Sequence, residues 1–200
     1  MTQGAVVLLH NAWRVPARLE TERLVIRAWQ VGDAPRLKAA IDENLAHLQA
    51  WMPWAMVEPS PLSVIEARLA TFRAEYESGT SWASGLWSAD ESRLLGGIGL
   101  HRTEASNVLE LGYWIRADES GKGFVAEAVI AWTGMALALP GIERVEIHCD
   151  PRNARSIAVA RRAGYRYRAI LRGESITPTG EPRDTAVWER GATASSPEGG

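Results

Sequence analysis

From Arg23 to Trp29 the chain reads RLVIRAW, and its alternation of apolar with polar positions predicts a strand. The period then lengthens. Leu37, Ala40, Ile41, Leu45 and Leu48 recur at helical spacing behind Asp33, a favourable N-cap, and carry a helix with a break as far as WMPW, where Pro53 stops it. Ser63 to Glu66 has the spacing of a capping box, and Ile65, Leu69, Phe72 and Tyr76 mark the buried face of a second helix closed by Gly79. Between Ser81 and Arg116 three strand-like runs, SWASGLWS, LLGGIGLH and VLELGYWIR, are parted by polar turns at Asp90-Glu91-Ser92 and near Ser106-Asn107, the pattern of an antiparallel meander. A helix from Gly123 to Leu139, the strand VEIHC, a short helix ARSIAVARRA closed by Gly164, and a hairpin of YRYRAILRGES and DTAVWER complete the order. The expected class is α+β, a mostly antiparallel sheet flanked by helices.

Composition narrows the picture. At 200 residues and 46% hydrophobic, the chain suits one domain with a sizeable core, expected over residues 19–190 between an N-terminal extension (1–18) and a small, polar tail (191–200) that buries too little to order. A net charge of -2 provides no electrostatic footprint for nucleic acid or an anionic membrane. The opening MTQGAVVLLH lacks the basic start and length of a signal or membrane segment, which favours the cytoplasm. One cysteine, Cys149, offers neither a disulfide framework nor a metal-ligand pair, and its setting is that of a small buried core residue. Most of the nine tryptophans are expected to fill the core, with some lining a cleft.

The candidate chemistry lies in IRADESGKGFVAEA, where the flexible, cationic Ser120-Gly121-Lys122-Gly123 runs into an alanine-rich helix. Glycines against the first turn of a helix let backbone amides approach a bulky anion, most commonly phosphate. A Walker loop needs Ser or Thr after Gly-Lys, and Gly123 stands there. A dinucleotide fingerprint needs its glycines between strand and helix, whereas Gly96, Gly97 and Gly99 sit inside a strand pattern, where close packing explains them. What remains is the acetyl-coenzyme A loop, whose amides clasp a pyrophosphate at the opening of a helix.

ELGYWIRADESGKGFVAEA resembles the core motif of the GNAT superfamily of N-acetyltransferases, and DPRNARSIAVARRAGYRYRAILRG its following strand–helix segment. With LETERLVIRAW, LQAWMPWA and RDTAVWE, the likeness extends from Leu19 to Glu189 and points to the RimJ/RimL branch, whose founding members acetylate N-terminal amines of ribosomal proteins. The resemblance implies acetyl-CoA as co-substrate without metal, and two central parallel strands splayed to hold it. Backbone groups of Trp114, Ile115 and Arg116 would pair with the pantetheine arm, and amides of Gly121, Lys122, Gly123, Phe124 and Val125 would bind the pyrophosphate. Asn153 would contact the pantetheine or serve only as an N-cap. Ser156 matches the serine that approaches the cofactor sulfur, and Trp51 and Trp54 match a helical lip over the acceptor. Three positions depart from the pattern: Ser120 replaces Arg, Gln or Trp, Val125 replaces Gly or Ala, and Ala160 excludes the tyrosine acid of many relatives. Glu110 is the natural base, sharing a strand face with Gly112 and Trp114, with His148 and Glu146 in reserve. The acceptor stays open between a protein N-terminus and a small amine such as an amino acid, a polyamine or an aminoglycoside. A degenerate domain that binds acyl-CoA as sensor or scaffold is the alternative, and a homodimer is compatible with the reading.

Overall fold

The computed structural model describes residues 13–177 and 181–191. Its elements run β1 (Arg18–Glu20), β2 (Leu24–Ala28), α1 (Ala34–Asp42), α2 (Leu45–Gln49), α3 (Leu62–Ser78), β3 (Ser81–Ser88), β4 (Leu94–Arg102), β5 (Val108–Ile115), α4 (Phe124–Leu137), β6 (Arg144–Cys149), α5 (Ala154–Arg162), β7 (Arg166–Ile176) and β8 (Pro182–Gly191). Eight strands form one sheet in the order β1-β2-β3-β4-β5-β6-β8-β7. Every neighbouring pair is antiparallel except β5 and β6. The α+β expectation holds.

Period-two alternation sorts side chains onto the two faces of the sheet. Leu109 and Leu111 of β5, with Val145 and Ile147 of β6, join Ala128, Val129 and Trp132 of α4 in one core. On the other face Val25, Trp87 and Leu94 pack beneath Leu37 and Ile41 of α1 and Ile65 and Leu69 of α3, and Trp114 leans on this second core. The central glycines are packing residues: a Cβ at Gly96 would stand 2.2 Å from the Trp114 carbonyl oxygen, and one at Gly97 2.5 Å from the Trp114 indole nitrogen.

Several local expectations are corrected. No capping box closes the start of α3; Pro61 is its N-cap without a side-chain hydrogen bond, and the helix starts at Leu62. Proline's fixed φ already suits a helix entry, so Ser63 falls inside the first turn. Asp33 is the N-cap residue of α1 as expected, but without a side-chain cap hydrogen bond, because its carboxylate receives two Arg27 guanidinium nitrogens (2.7 and 2.9 Å) and the Gln30 amide. The anticipated break in the first helical region is real, separating α1 from α2. β1 went unread because three residues are too few to show a period. Residues before 19 also pack on the domain: Val15 is buried, and Trp13 donates to the Pro140 carbonyl while its ring lies 6.0 Å from Trp82. Most of the extension expected at 1–18, and the tail beyond Gly191, lie outside the described residues.

Candidate active site

β5 and β6 pair through Val108 with Arg144, Leu109 with Val145 and Glu110 with Glu146, and the pairing ends there. Beyond Glu110 the strands part. A cleft of about 1120 Å³ opens along the separation, reaching from the glycine loop before α4 to the lip that follows α2.

At one end stands that loop. Gly121 and Gly123 both have positive φ (82° and 87°), a backbone state costly for other residues, and Gly123 is the N-cap of α4. The first amides of α4 therefore face the cleft with no side-chain cap spent on them, at the positive end of the helix. Arg23 holds the loop in place. Its guanidinium donates to the Lys122 carbonyl (3.1 Å) and to Glu127 (2.7 Å), and it stacks 4.7 Å from the centre of the Phe124 ring. Val125 is buried at the cleft wall, so its side chain packs into the core while its amide remains with the helix end. The Lys122 ammonium is turned to Glu119 (2.8 Å), leaving only its backbone to the loop.

The edge of β5 follows. The Arg116 amide donates to Leu95 of β4 (2.8 Å), and alternation then gives the Trp114 backbone groups to β4 as well. The groups turned toward the separation are those of Tyr113 and Ile115, so the strand edge open to an added strand is centred one residue earlier than Trp114–Arg116. The Arg116 guanidinium pairs with Glu43 (2.5 Å), away from the cleft. His47 of α2 hydrogen-bonds the Ile115 backbone, and burial, reinforced by the nearby Arg155, pushes its pKa down.

Asn153 caps α5: its side-chain oxygen accepts the Ser156 amide (3.1 Å), and it also lines the cleft. The Ser156 hydroxyl meets the Tyr113 hydroxyl at 2.8 Å. Burial raises the Tyr113 pKa well above its ordinary value, keeping the phenol protonated. Tyr113 was missed in the sequence; the signal was its odd position on β5, which sends it to the α4 and α5 face opposite Glu110. Cys149, expected in the core, is only half-buried and lines the cleft, with its thiol pKa raised by burial.

On the other face, Glu110 lies 3.8 Å from Nδ1 of His148, whose Nε2 is 3.1 Å from Glu146. Burial opposes the charge of Glu146, yet hydrogen bonds from Arg144 and His148 hold its pKa below the usual carboxylate range. Above this floor, Trp51 and Trp54 both line the cleft, and Trp54 meets Trp114 edge-on at 6.2 Å between ring centres.

A mixed sheet whose parallel centre strands separate beside an uncapped, glycine-turned helix start defines a transferase frame for a phosphate-bearing cofactor. Residues 23–166 match the family described as Acetyltransferase (GNAT) domain. The chain is 30% identical over 155 residues to the [ribosomal protein uS5]-alanine N-acetyltransferase of Escherichia coli, covering 74% of this chain and 77% of that protein. Among solved structures, it is similar to the microcin C7 self-immunity acetyltransferase MccE in complex with acetyl-CoA and AMP (TM-score 0.81, 18% identity, 89% of this chain and 98% of that one). It is also similar to RimL, a ribosomal L7/L12 α-N-protein acetyltransferase, in complex with coenzyme A (TM-score 0.78, 19% identity, 88% and 96%). The chain belongs to the GNAT acetyltransferase family. It is an acetyl-CoA-dependent N-acetyltransferase of the RimJ/RimL type. Among the described residues no helix is long and apolar enough to cross a membrane, and no group of three or more His, Cys, Asp or Glu could hold a metal.

Proposed function

We propose that the protein acetylates the α-amine at the N-terminus of a protein in the cytoplasm, by direct attack on acetyl-CoA within a ternary complex. The observation that carries this reading is the cleft itself, with cofactor-type backbone groups at one end and an aromatic lip over a carboxylate at the other. The relative that acts on ribosomal protein uS5 supports the acceptor class. The amides of Gly121 to Val125 hold the pyrophosphate, and the backbone of Tyr113 and Ile115 pairs with the pantetheine arm as an added strand. Acetyl-CoA supplies the activated thioester carbon.

Glu110 takes a proton from the acceptor ammonium, and the neutral amine attacks the carbonyl. As the C–N bond forms and the C–S bond breaks, the Ser156 hydroxyl gives its proton to the departing thiolate and regains the one that the attacking nitrogen loses, while the Tyr113 phenol stays protonated and hydrogen-bonded to the serine. A free α-amine has a pKa of about 8 and is partly neutral at physiological pH, whereas a lysine amine near ~10.4 is mostly charged, so a single carboxylate suffices more readily for the former. The test is thiol release from acetyl-CoA with equal concentrations of N-terminal peptides, free amino acids, polyamines and aminoglycosides. Turnover with peptides bearing a free α-amine, abolished by blocking that amine, is expected. Faster turnover of any small amine replaces the acceptor class, and thiol release with none of them returns the reading to a binding domain.

A further inference from the structure

His101, at the end of β4, stands in a row of polar groups that crosses three strands on the acceptor face. In register, His101 lies opposite Glu110 on β5, and Glu110 lies opposite Glu146 on β6, with His148 completing the row. One end is closed: Glu146 is bound to Arg144 at 2.8 Å and to His148 at 3.1 Å, and it is held in its charged form. The other end is open. The His101 side chain is exposed, and its Nδ1 meets the Ser81 hydroxyl at 3.0 Å, which leaves Nε2 for the cleft.

The floor is cut to make room for this ring. A Cβ at Gly99 would stand 3.2 Å from Nε2 of His101, and one at Gly112 would stand 3.9 Å away with no other atom in contact. Side chains at these two positions would crowd the space between the imidazole and the cleft. Ser81 and the two glycines thus turn one ring nitrogen into the cleft, on the strand that pairs His101 in register with Glu110.

Resting on the acetyl-transfer reading, the proton balance demands such a group. An acceptor ammonium and acetyl-CoA become an amide, a thiol and one free proton, so every turnover must discharge one proton from the cleft. A carboxylate that has taken it is no longer a base until it is relieved. Imidazole accepts and releases protons near neutral pH without help.

We propose that His101 relieves Glu110 through water in the cleft: it receives at Nε2 the proton taken from the acceptor and passes it to solvent at the exposed rim. It is a positioning residue that acts through Glu110 and touches neither the thioester nor the cofactor. The test uses the whole chain under saturating acetyl-CoA and a peptide acceptor, with and without imidazole. Turnover by the wild type secures the acetyl-transfer reading first; a wild type that releases no thiol refutes that reading and the relay with it. His101→Ala should lower kcat by ~10–100-fold, at or below the lower range of general-base assistance, with acetyl-CoA affinity and acceptor KM within about twofold. Added imidazole should restore most of the loss while leaving the wild type unaffected. His101→Gln, which can still bond Ser81 but cannot carry the proton, should lose activity like His101→Ala. Wild-type kcat in either variant overturns the proposal, and so does a loss that imidazole does not repair.

Discussion

The Tyr113 hydroxyl meets both the Ser156 hydroxyl (2.8 Å) and the Ser156 carbonyl (3.3 Å), and the serine is the group placed to act on the thiolate, which decides what each variant should cost. Desolvation raises the phenol's pKa, so it backs the serine rather than ionising itself. Ser156→Ala should lower kcat by roughly a hundredfold and Tyr113→Phe by less, both with unchanged acetyl-CoA affinity, in single-turnover experiments where chemistry limits the rate. Equal wild-type rates would leave Ser156 as a cap partner of Asn153 alone. A second residue-scale prediction concerns stability. Although burial favours its neutral form, Arg27 holds the Asp33 pKa below the ordinary value, so Asp33 is more acidic folded than unfolded. That contribution is complete above the unfolded value of about 3.9 and disappears as pH falls through the lower folded value. Asp33→Asn should cost about 3 kcal/mol at pH 7 by leaving Arg27 half-paired, and should flatten the acid limb of the stability curve below about pH 4 in denaturant titrations. An unaltered acid limb would assign that limb to other carboxylates.

Whole elements carry the two binding predictions. Gly123 turns the chain into α4 at a φ of 87°, and a Cβ there would already lie 3.4 Å from the Arg23 guanidinium. Gly123→Asp adds strain of about 1 kcal/mol or more and a carboxylate against the diphosphate, so calorimetry should show acetyl-CoA affinity reduced at least tenfold. Unchanged affinity in the folded variant would move the pyrophosphate elsewhere. The lip after α2 has the opposite dependence. Trp54 is 37% exposed and rests edge-on against Trp114, so Trp54→Ala should raise acceptor KM roughly tenfold, as for a truncated aromatic contact, and leave acetyl-CoA affinity within about twofold. Equal losses for both ligands would make it a packing residue. These elements were unequally legible. The strands SWASGLWS and LLGGIGLH are runs of eight or nine residues set off by polar turns, enough to be read as strands although both their faces are buried, while β1 is too short to be read at all. The capping-box spacing at Ser63 misled because Pro61 had already set the entry into α3.

At the scale of the molecule, cofactor binding should register as global stability. A ligand that binds only the folded state at a hundred times its Kd contributes about 2.7 kcal/mol, which for a chain of this length raises Tm by roughly 5–10 °C. Acetyl-CoA should produce such a shift in thermal unfolding and EDTA should produce none. A Tm indifferent to acetyl-CoA would contradict binding in the cleft, and one lowered by EDTA would reveal a metal.

What the sequence determined by itself is local: the periods that assign strands and helices, the glycines that turn the chain into α4, and the sheet face on which Glu110 lies. Those features follow from backbone sterics and side-chain alternation, which act between near neighbours. Only the tertiary structure decided which groups meet: Tyr113 with Ser156, 43 residues apart; Arg23 with the loop before α4, 99 residues away; and His148 with Glu110 across the opening sheet. A period names a face but neither a register nor a distance. The open edge of β5 shows the difference, because one hydrogen bond from Arg116 to Leu95 turns the backbone groups of Tyr113 and Ile115, rather than those of Trp114 and Arg116, toward the strand separation. That choice is made by pairing with β4, a strand whose partners the sequence order alone does not space.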